Sequence, residues 1–237
     1  MKNLLCLLLL LLTIAAKAQY PFEKFPAIKY KVIPFKILVS NKTRFLAKSE
    51  SYKGYAFELE QSDGNDIIRI LYKGKYIQQF NEDIGILQIT LEVNPALYAA
   101  DVDGNELVDF KLKTWNNGSG LAGSRMNKAY FFNKGNNKFS FVYFMDFDDQ
   151  NERDFNNDGH YEIVGRSYLS FNNHGYWVFD LYNFDNKRGL INVSKKYHYP
   201  ILIQFLEKDN YSITNMINRK KMMQFTKKTP DYYQFMP

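Results

Sequence analysis

Cysteine is nearly absent from this chain. Of its 237 residues only Cys6 carries a thiol, so no intrachain disulfide framework exists and stability must come from a hydrophobic core or bound ions. Histidine is almost as scarce. The three histidines, His160, His174 and His198, are not spaced like a zinc pair such as H-E-x-x-H. A G-x-S-x-G nucleophile elbow is also missing. Beyond Ile14 no apolar run approaches the length of a bilayer-spanning helix. A strong excess of either charge is missing too: the formal net charge is +6. The basic groups gather late, at Lys195-Lys196, Arg219-Lys220-Lys221 and Lys227-Lys228. A nucleic-acid surface calls for a denser, aromatic-interleaved basic patch, so these clusters read as solvated faces and no nucleic-acid partner is expected.

What is present begins with the N-terminus. Lys2 supplies a short positive region, Leu4 to Ile14 form an apolar core, and Ala16-Lys17-Ala18 gives a small-x-small cleavage site. This pattern predicts a secretory signal peptide over residues 1–18, too short in its apolar part to span a bilayer. Cys6 lies before the end of that run, whereas a lipidated cysteine follows it. The expected product is a secreted or periplasmic chain starting near Gln19. Lys2 and Lys17 leave with the signal, so its charge falls from +6 to +4.

Eighteen tyrosines and twenty phenylalanines favour strands and aromatic cores. Alternation runs through "AIKYKVIPFKILVS", where Pro34 predicts an edge or a bend. It continues in "GYAFELE", "DIIRILYKGKYIQQF" with a hairpin turn at Lys73-Gly74-Lys75, and "DIGILQITLEV". "LVDFKLKTW", "KAYFFNKGNNKFSFVYFMDF", "YEIVGRSYLSF" and "GYWVFDLYNF" complete the series, with turn signals about every ten residues. One segment is helical in period: Ile213, Met216 and Ile217 predict a helix over 212–226, within a C-terminal helical segment of about 210–228, capped by Ser212 or Thr214. The expectation is a single β-rich domain over 19–237, mainly β with antiparallel sheets and one C-terminal α-helix.

Two short acidic stretches carry the chemistry. In "DFNNDGHYEIV", Asp154, Asn156 and Asp158 stand at positions 1, 3 and 5, Gly159 at 6, His160 at 7 and Glu162 at 9. Calcium takes six or more oxygens from carboxylates, amides and carbonyls, and a tight loop aims alternate side chains at one centre. His160 would contribute its main-chain carbonyl, and Glu162 would close the shell from the next strand. An EF-hand is excluded, because position 12 is Gly165 and a strand pattern follows instead of a helix. "DVDGNELVD" repeats the register 53 residues earlier, with Asp101, Asp103, Asn105, the Leu107 carbonyl and Asp109. There Glu106 stands where the other copy has glycine, at a backbone cost of about 1 kcal/mol. Ordinary turn chemistry produces Asn-Asp-Gly and Asp-Gly as well. The in-register repetition favours ion loops, in a repeat region of about 95–185.

D-x-D/N-x-D/N-G-x-x-D/E leading into a strand resembles the calcium loops of integrin-type FG-GAP and VCBS repeat proteins. The resemblance covers Asp101 to about Lys113 and Asp154 to about Ser167. It implies β-propeller-blade-like units in which the ion staples a loop and does no chemistry. A blade takes roughly 50 residues, so about four fit here, and a partial or open array is implied. It also implies two calcium sites, Asp101, Asp103, Asn105 and Asp109 in one and Asp154, Asn156, Asp158 and Glu162 in the other.

No catalytic constellation emerges. Gly118-Ser-Gly120-Leu-Ala-Gly123 matches G-x-G-x-x-G by letter, but without a following helix pattern it reads as a hairpin loop. "DFDDQNERD" (Asp146, Asp148, Gln150, Asp154) reads as extra negative charge beside the second loop. Aromatics of "HGYWVFDLYNF" fit a core better than a sugar-binding face. The expected function is an exported calcium-binding structural or binding module whose ligand, a protein or a glycan, the sequence does not identify. An exported hydrolase acting on glycans and a metal-free β domain are the alternatives.

Overall fold

The computed structural model describes residues 19–40, 44–62, 65–81, 96–115, 119–147, 149–206 and 211–237. The expected signal peptide (1–18) and the strand expected at 83–93 lie outside these residues. The chain is mainly β and antiparallel throughout. Its strands are β1 (Lys31–Ser40), β2 (Arg44–Ser49), β3 (Tyr55–Ser62), β4 (Asn65–Tyr72), β5 (Lys75–Asn81), β6 (Ala96–Ala100) and β7 (Asp109–Trp115). After them come β8 (Met126–Asn133), β9 (Phe139–Asp146), β10 (Ile163–Phe171), β11 (His174–Asp185), β12 (Gly189–Asn192), β13 (Ile201–Gln204) and β14 (Asp231–Met236).

Ten of these strands form one sheet, ordered β14-β9-β8-β7-β6-β1-β2-β3-β4-β5. Alternation places Phe57 and Leu59, Ile68 and Ile70, Phe110 and Leu112, and Phe139 and Phe141 on one concave face, all buried in a single cluster. A half-barrel results, because burying that face from β1 through to β9 requires the sheet to curl on itself. Phe80 of β5 packs on Phe131 and Phe141 of β8 and β9, with ring centroids 5.6 and 4.9 Å away. A side chain also bridges the seam. The Gln78 amide donates to the Phe139 carbonyl and accepts from the Phe139 N–H, both at 2.8 Å, standing in for a neighbouring strand.

Pro34 marks a change of partner. Lys31 to Pro34 pair with β6, and Phe35 to Ser40 pair with β2. This is the bend that a ring without an N–H predicts. Lys73 and Gly74 form the two-residue turn between β4 and β5, both at positive φ (48° and 79°), as a primed hairpin turn demands.

A second sheet packs on the convex side of β8 and β9. In it β11 pairs with β10 on one edge, while β12 and β13 share the other. Tyr130, Phe132 and Phe144 of the large sheet meet Ile163, Tyr182 and Leu190 of the small one. The remaining aromatics of β11 also serve packing: Trp177 and Phe179 bury against Phe22 and Tyr199, and Tyr176 joins Leu202 and Met222. A one-turn helix, α1 (Gly120–Gly123), occupies the glycine-rich connection between β7 and β8.

The C-terminal helix, α2 (Arg219–Met222), is shorter than its periodicity predicts and continues as a 3-10 turn over Met223–Phe225. Asn218 caps it, its Oδ1 accepting the Lys221 N–H at 2.9 Å. Ser212 and Thr214 are not caps. Ile213 is drawn into a bridge with Ile203, and the Thr214 N–H donates to the Leu202 carbonyl. Those sheet bonds outcompete the helical period of residues 212–217. Among the described residues no helix is long and apolar enough to cross a membrane.

Candidate metal loops and a buried charge cluster

The two acidic stretches fold alike. The first links β6 to β7, and the Ala100–Asp109 pair closes it. The second precedes β10, and the Arg153–Glu162 bridge closes it in the same register. In both, the position-1 aspartate accepts the N–H groups of positions 5 and 6: Asn105 and Glu106 on Asp101, Asp158 and Gly159 on Asp154. Position 5 accepts from position 7, Leu107 N–H on Asn105 and His160 N–H on Asp158. The position-9 carboxylate reaches back to the N–H of position 2, Asp109 to Val102 (2.8 Å) and Glu162 to Phe155 (3.0 Å). Positions 4 and 6 are left-handed in each copy: Gly104 and Glu106 at φ 74° and 67°, Asn157 and Gly159 at 59° and 84°. Glu106 therefore adopts the strained conformation that glycine takes in the other copy. The repeat read in the sequence is a repeat of backbone geometry.

The copies differ in where their acids converge. Asp101, Asp103 and Asp109 each place an oxygen within 4.8 Å of the others. Asp109 is fully buried, and desolvation together with Asp103 holds its carboxyl well above the usual range. Burial, reinforced by Asp101, pushes Asp103 up to about 6. Asn105 sits at the rim, its amide donating to Asp103 and to the Asn133 carbonyl, and Leu107 is exposed.

In the second loop Asp154, Asp158, His160 and Glu162 form no comparable three-ligand cluster. One Glu162 oxygen takes the Tyr197 hydroxyl at 2.7 Å, and the Asn156 amide donates to Asp158 at 2.6 Å. The first loop has partners at the same places, the Asn133 N–H on Asp109 and the Asn105 amide on Asp103, so what sets the second loop apart is the Tyr197 hydroxyl, brought to its position-9 acid from another segment. Asp146 is not charge beside this loop. It pairs with Lys128 (2.7 Å) and accepts the Phe147 and Arg166 N–H groups. Asp148 lies outside the described residues.

The loops touch each other. The Tyr161 N–H donates to the Val102 carbonyl at 3.0 Å, and the His160 ring lies over Gly104. A Cβ on Gly104 would stand 2.8 Å from that ring, and its φ is unfavourable for alanine. Gly104→Ala is expected to lower stability by about 1–2 kcal/mol. Gly104→Asn should cost less in backbone strain, since Asn157 tolerates the equivalent position. Urea unfolding of both variants checks this ordering.

One polar centre has no signature in the sequence. Between β7, β8 and the segment before the second loop, Glu152 accepts from Lys111 (2.7 Å), Tyr30 (2.6 Å) and Tyr130. Both charged side chains are 1% exposed. Although burial opposes it, Lys111 and the two hydroxyls hold the Glu152 carboxyl down at about 2. Burial draws Lys111 down to about 8. Its ammonium also lies 5.3 Å from each tyrosine ring centre. With every Glu152 partner committed and water excluded, this cluster is a structural tie and no substrate reaches it.

Compared with protein-family models, curated proteins and solved structures, the chain matches none. The chemistry must therefore be judged on the residues. The first loop offers oxygen donors only, which suits a hard cation such as calcium and not a nitrogen- or sulfur-seeking metal. Its acids also repel one another, and a bound cation relieves that repulsion. The donor set fits an oxygen-seeking divalent cation.

Proposed function

We propose that this protein is an exported calcium-binding module whose ion pins the β6–β7 connection, and that it serves as a structural or binding unit. The supporting observation is the convergence of Asp101, Asp103 and Asp109 in a loop stiffened by backbone hydrogen bonds. Asn105 and the Leu107 carbonyl complete its shell. The second loop, with Asp154, Asn156, Asp158, the His160 carbonyl and Glu162, shares the backbone template and is the weaker ion site of the two. Export rests on the N-terminal signal pattern, and kinship with FG-GAP and VCBS repeats rests on the loop register.

Calorimetric titration of the calcium-stripped protein tests this reading. The tighter site is expected to be one that Asp103→Asn removes and Asp158→Asn leaves in place, with the second loop filling only at higher calcium. Absence of binding heat across a temperature series in millimolar calcium would leave a metal-free β domain.

A further inference from the structure

Beside the first loop lies an open cleft of about 520 Å³, within the roughly 300–1,000 Å³ span of small-ligand sites. Lys29, Lys31 and Lys53 line it, together with Tyr52 and Tyr161 and, on the loop side, Asp101 and Glu106. Among the described residues none of the three lysines has a carboxylate partner, whereas all three basic groups of β2 to β4 do: Arg44 and Arg69 on Glu60, and Lys48 on Glu58. Three ammonium groups without a carboxylate partner around one concavity, with Lys53 also lying 5.9 Å from the Tyr52 ring centre, attract an anion.

The rest of the lining narrows the class. Glu106 would repel a ligand that is anionic along its whole length, such as a polyphosphate or a polyglutamate, and its free carboxylate calls for a hydrogen-bond donor a few ångströms from the anionic group. Tyr52 and Tyr161, each packed on its inner side against a core cluster, add part-exposed aromatic bodies with polar tips to the lining, chemistry that suits the C–H groups and hydroxyls of a sugar ring. One carboxylate per ring, several hydroxyl donors and an apolar face describe a uronic acid. We propose that this cleft binds an acidic oligosaccharide of two or three rings, its carboxylates on Lys29, Lys31 and Lys53 and its hydroxyls on Glu106. The inference goes beyond the metal reading and does not depend on it, because the lysines and tyrosines stand there whether or not the loop holds an ion.

The experiment is a binding titration of the whole protein with trigalacturonate, alongside maltotriose, tetraglutamate and inorganic phosphate, each in calcium and in EDTA. Trigalacturonate is expected to bind at least tenfold more tightly than the three controls. Lys31→Gln and Lys29→Gln should each weaken it by about tenfold, the scale of one charge-assisted contact, with unchanged melting temperatures since both residues are exposed. Retention of binding in EDTA would show that the cleft acts independently of the ion. Binding that disappears in EDTA while calorimetry still reports a calcium site would overturn that independence. Equal or tighter binding of maltotriose, tetraglutamate or phosphate, or no saturable binding of trigalacturonate, would overturn the assignment, and the calcium titration would be untouched by that failure.

Discussion

Glu152→Ala is expected to destabilise the protein by about 3–5 kcal/mol, because it strands a buried ammonium and two buried hydroxyls. Lys111 would lose the carboxylate it pairs with among the described residues, and Tyr30 and Tyr130 would lose their acceptor. Removing one partner of a buried pair costs far more than the pair contributes in net terms, since desolvation has already consumed most of the attraction. The pair variant Lys111→Met with Glu152→Gln removes both charges and keeps an acceptor for the hydroxyls. It should recover at least half of the loss. Urea denaturation of the three proteins measures this directly, and a Glu152→Ala loss below about 1 kcal/mol would deny the cluster its role.

The same cluster has a pH signature. The Glu152 carboxyl lies at about 2 in the folded chain against an ordinary value of 4.5. A depressed folded value means that the unfolded chain binds more protons as acid is added. The contribution is therefore complete above about pH 4.5 and fades as pH falls towards 2. Acid unfolding of Glu152→Gln should lack this component.

The second large effect concerns calcium. At a free concentration of 100 times the dissociation constant, one ion stabilises the folded state by about 2.7 kcal/mol. For a chain of this size that is a rise of about 5–10 °C in melting temperature. Asp103→Asn should abolish the rise, because it removes a position-3 ligand that is only partly buried. Without calcium the same substitution should be neutral or mildly stabilising, since Asp103 is disfavoured as an anion by burial and by Asp101. Opposite signs in the two buffers set this apart from simple damage to the fold. An equal loss in both would mean that Asp103 serves packing alone.

Much of this was legible in the sequence for a definite reason. Oxygen-bearing side chains at alternate places around a left-handed position fold locally, so Asp101 to Asp109 and Asp154 to Glu162 betray their shared backbone without tertiary information. Strand alternation and the Lys73-Gly74 turn are local in the same way. Sequence favoured the second loop for its glycine, yet the acids converge in the first. Glu106 tolerates the left-handed position, while Tyr197, distant in sequence, occupies Glu162.

The buried charges were illegible because they follow the strand rule. In "DFKLKTW" Lys111 alternates with Phe110 and Leu112 as a solvated face does, and only the cover formed by the segment around Glu152 makes it interior. The end of the chain failed for a similar reason. Ile213 has helical spacing, but the free edge of β13 offered it sheet bonds, and Asn218 set the helix start instead.

The most direct test is a crystal structure grown in millimolar calcium. The account predicts density at the β6–β7 loop with oxygens of Asp101, Asp103 and Asp109 at about 2.3–2.6 Å from a single ion. Carboxylates turned apart into solvent, with only water between them at that calcium concentration, would contradict it.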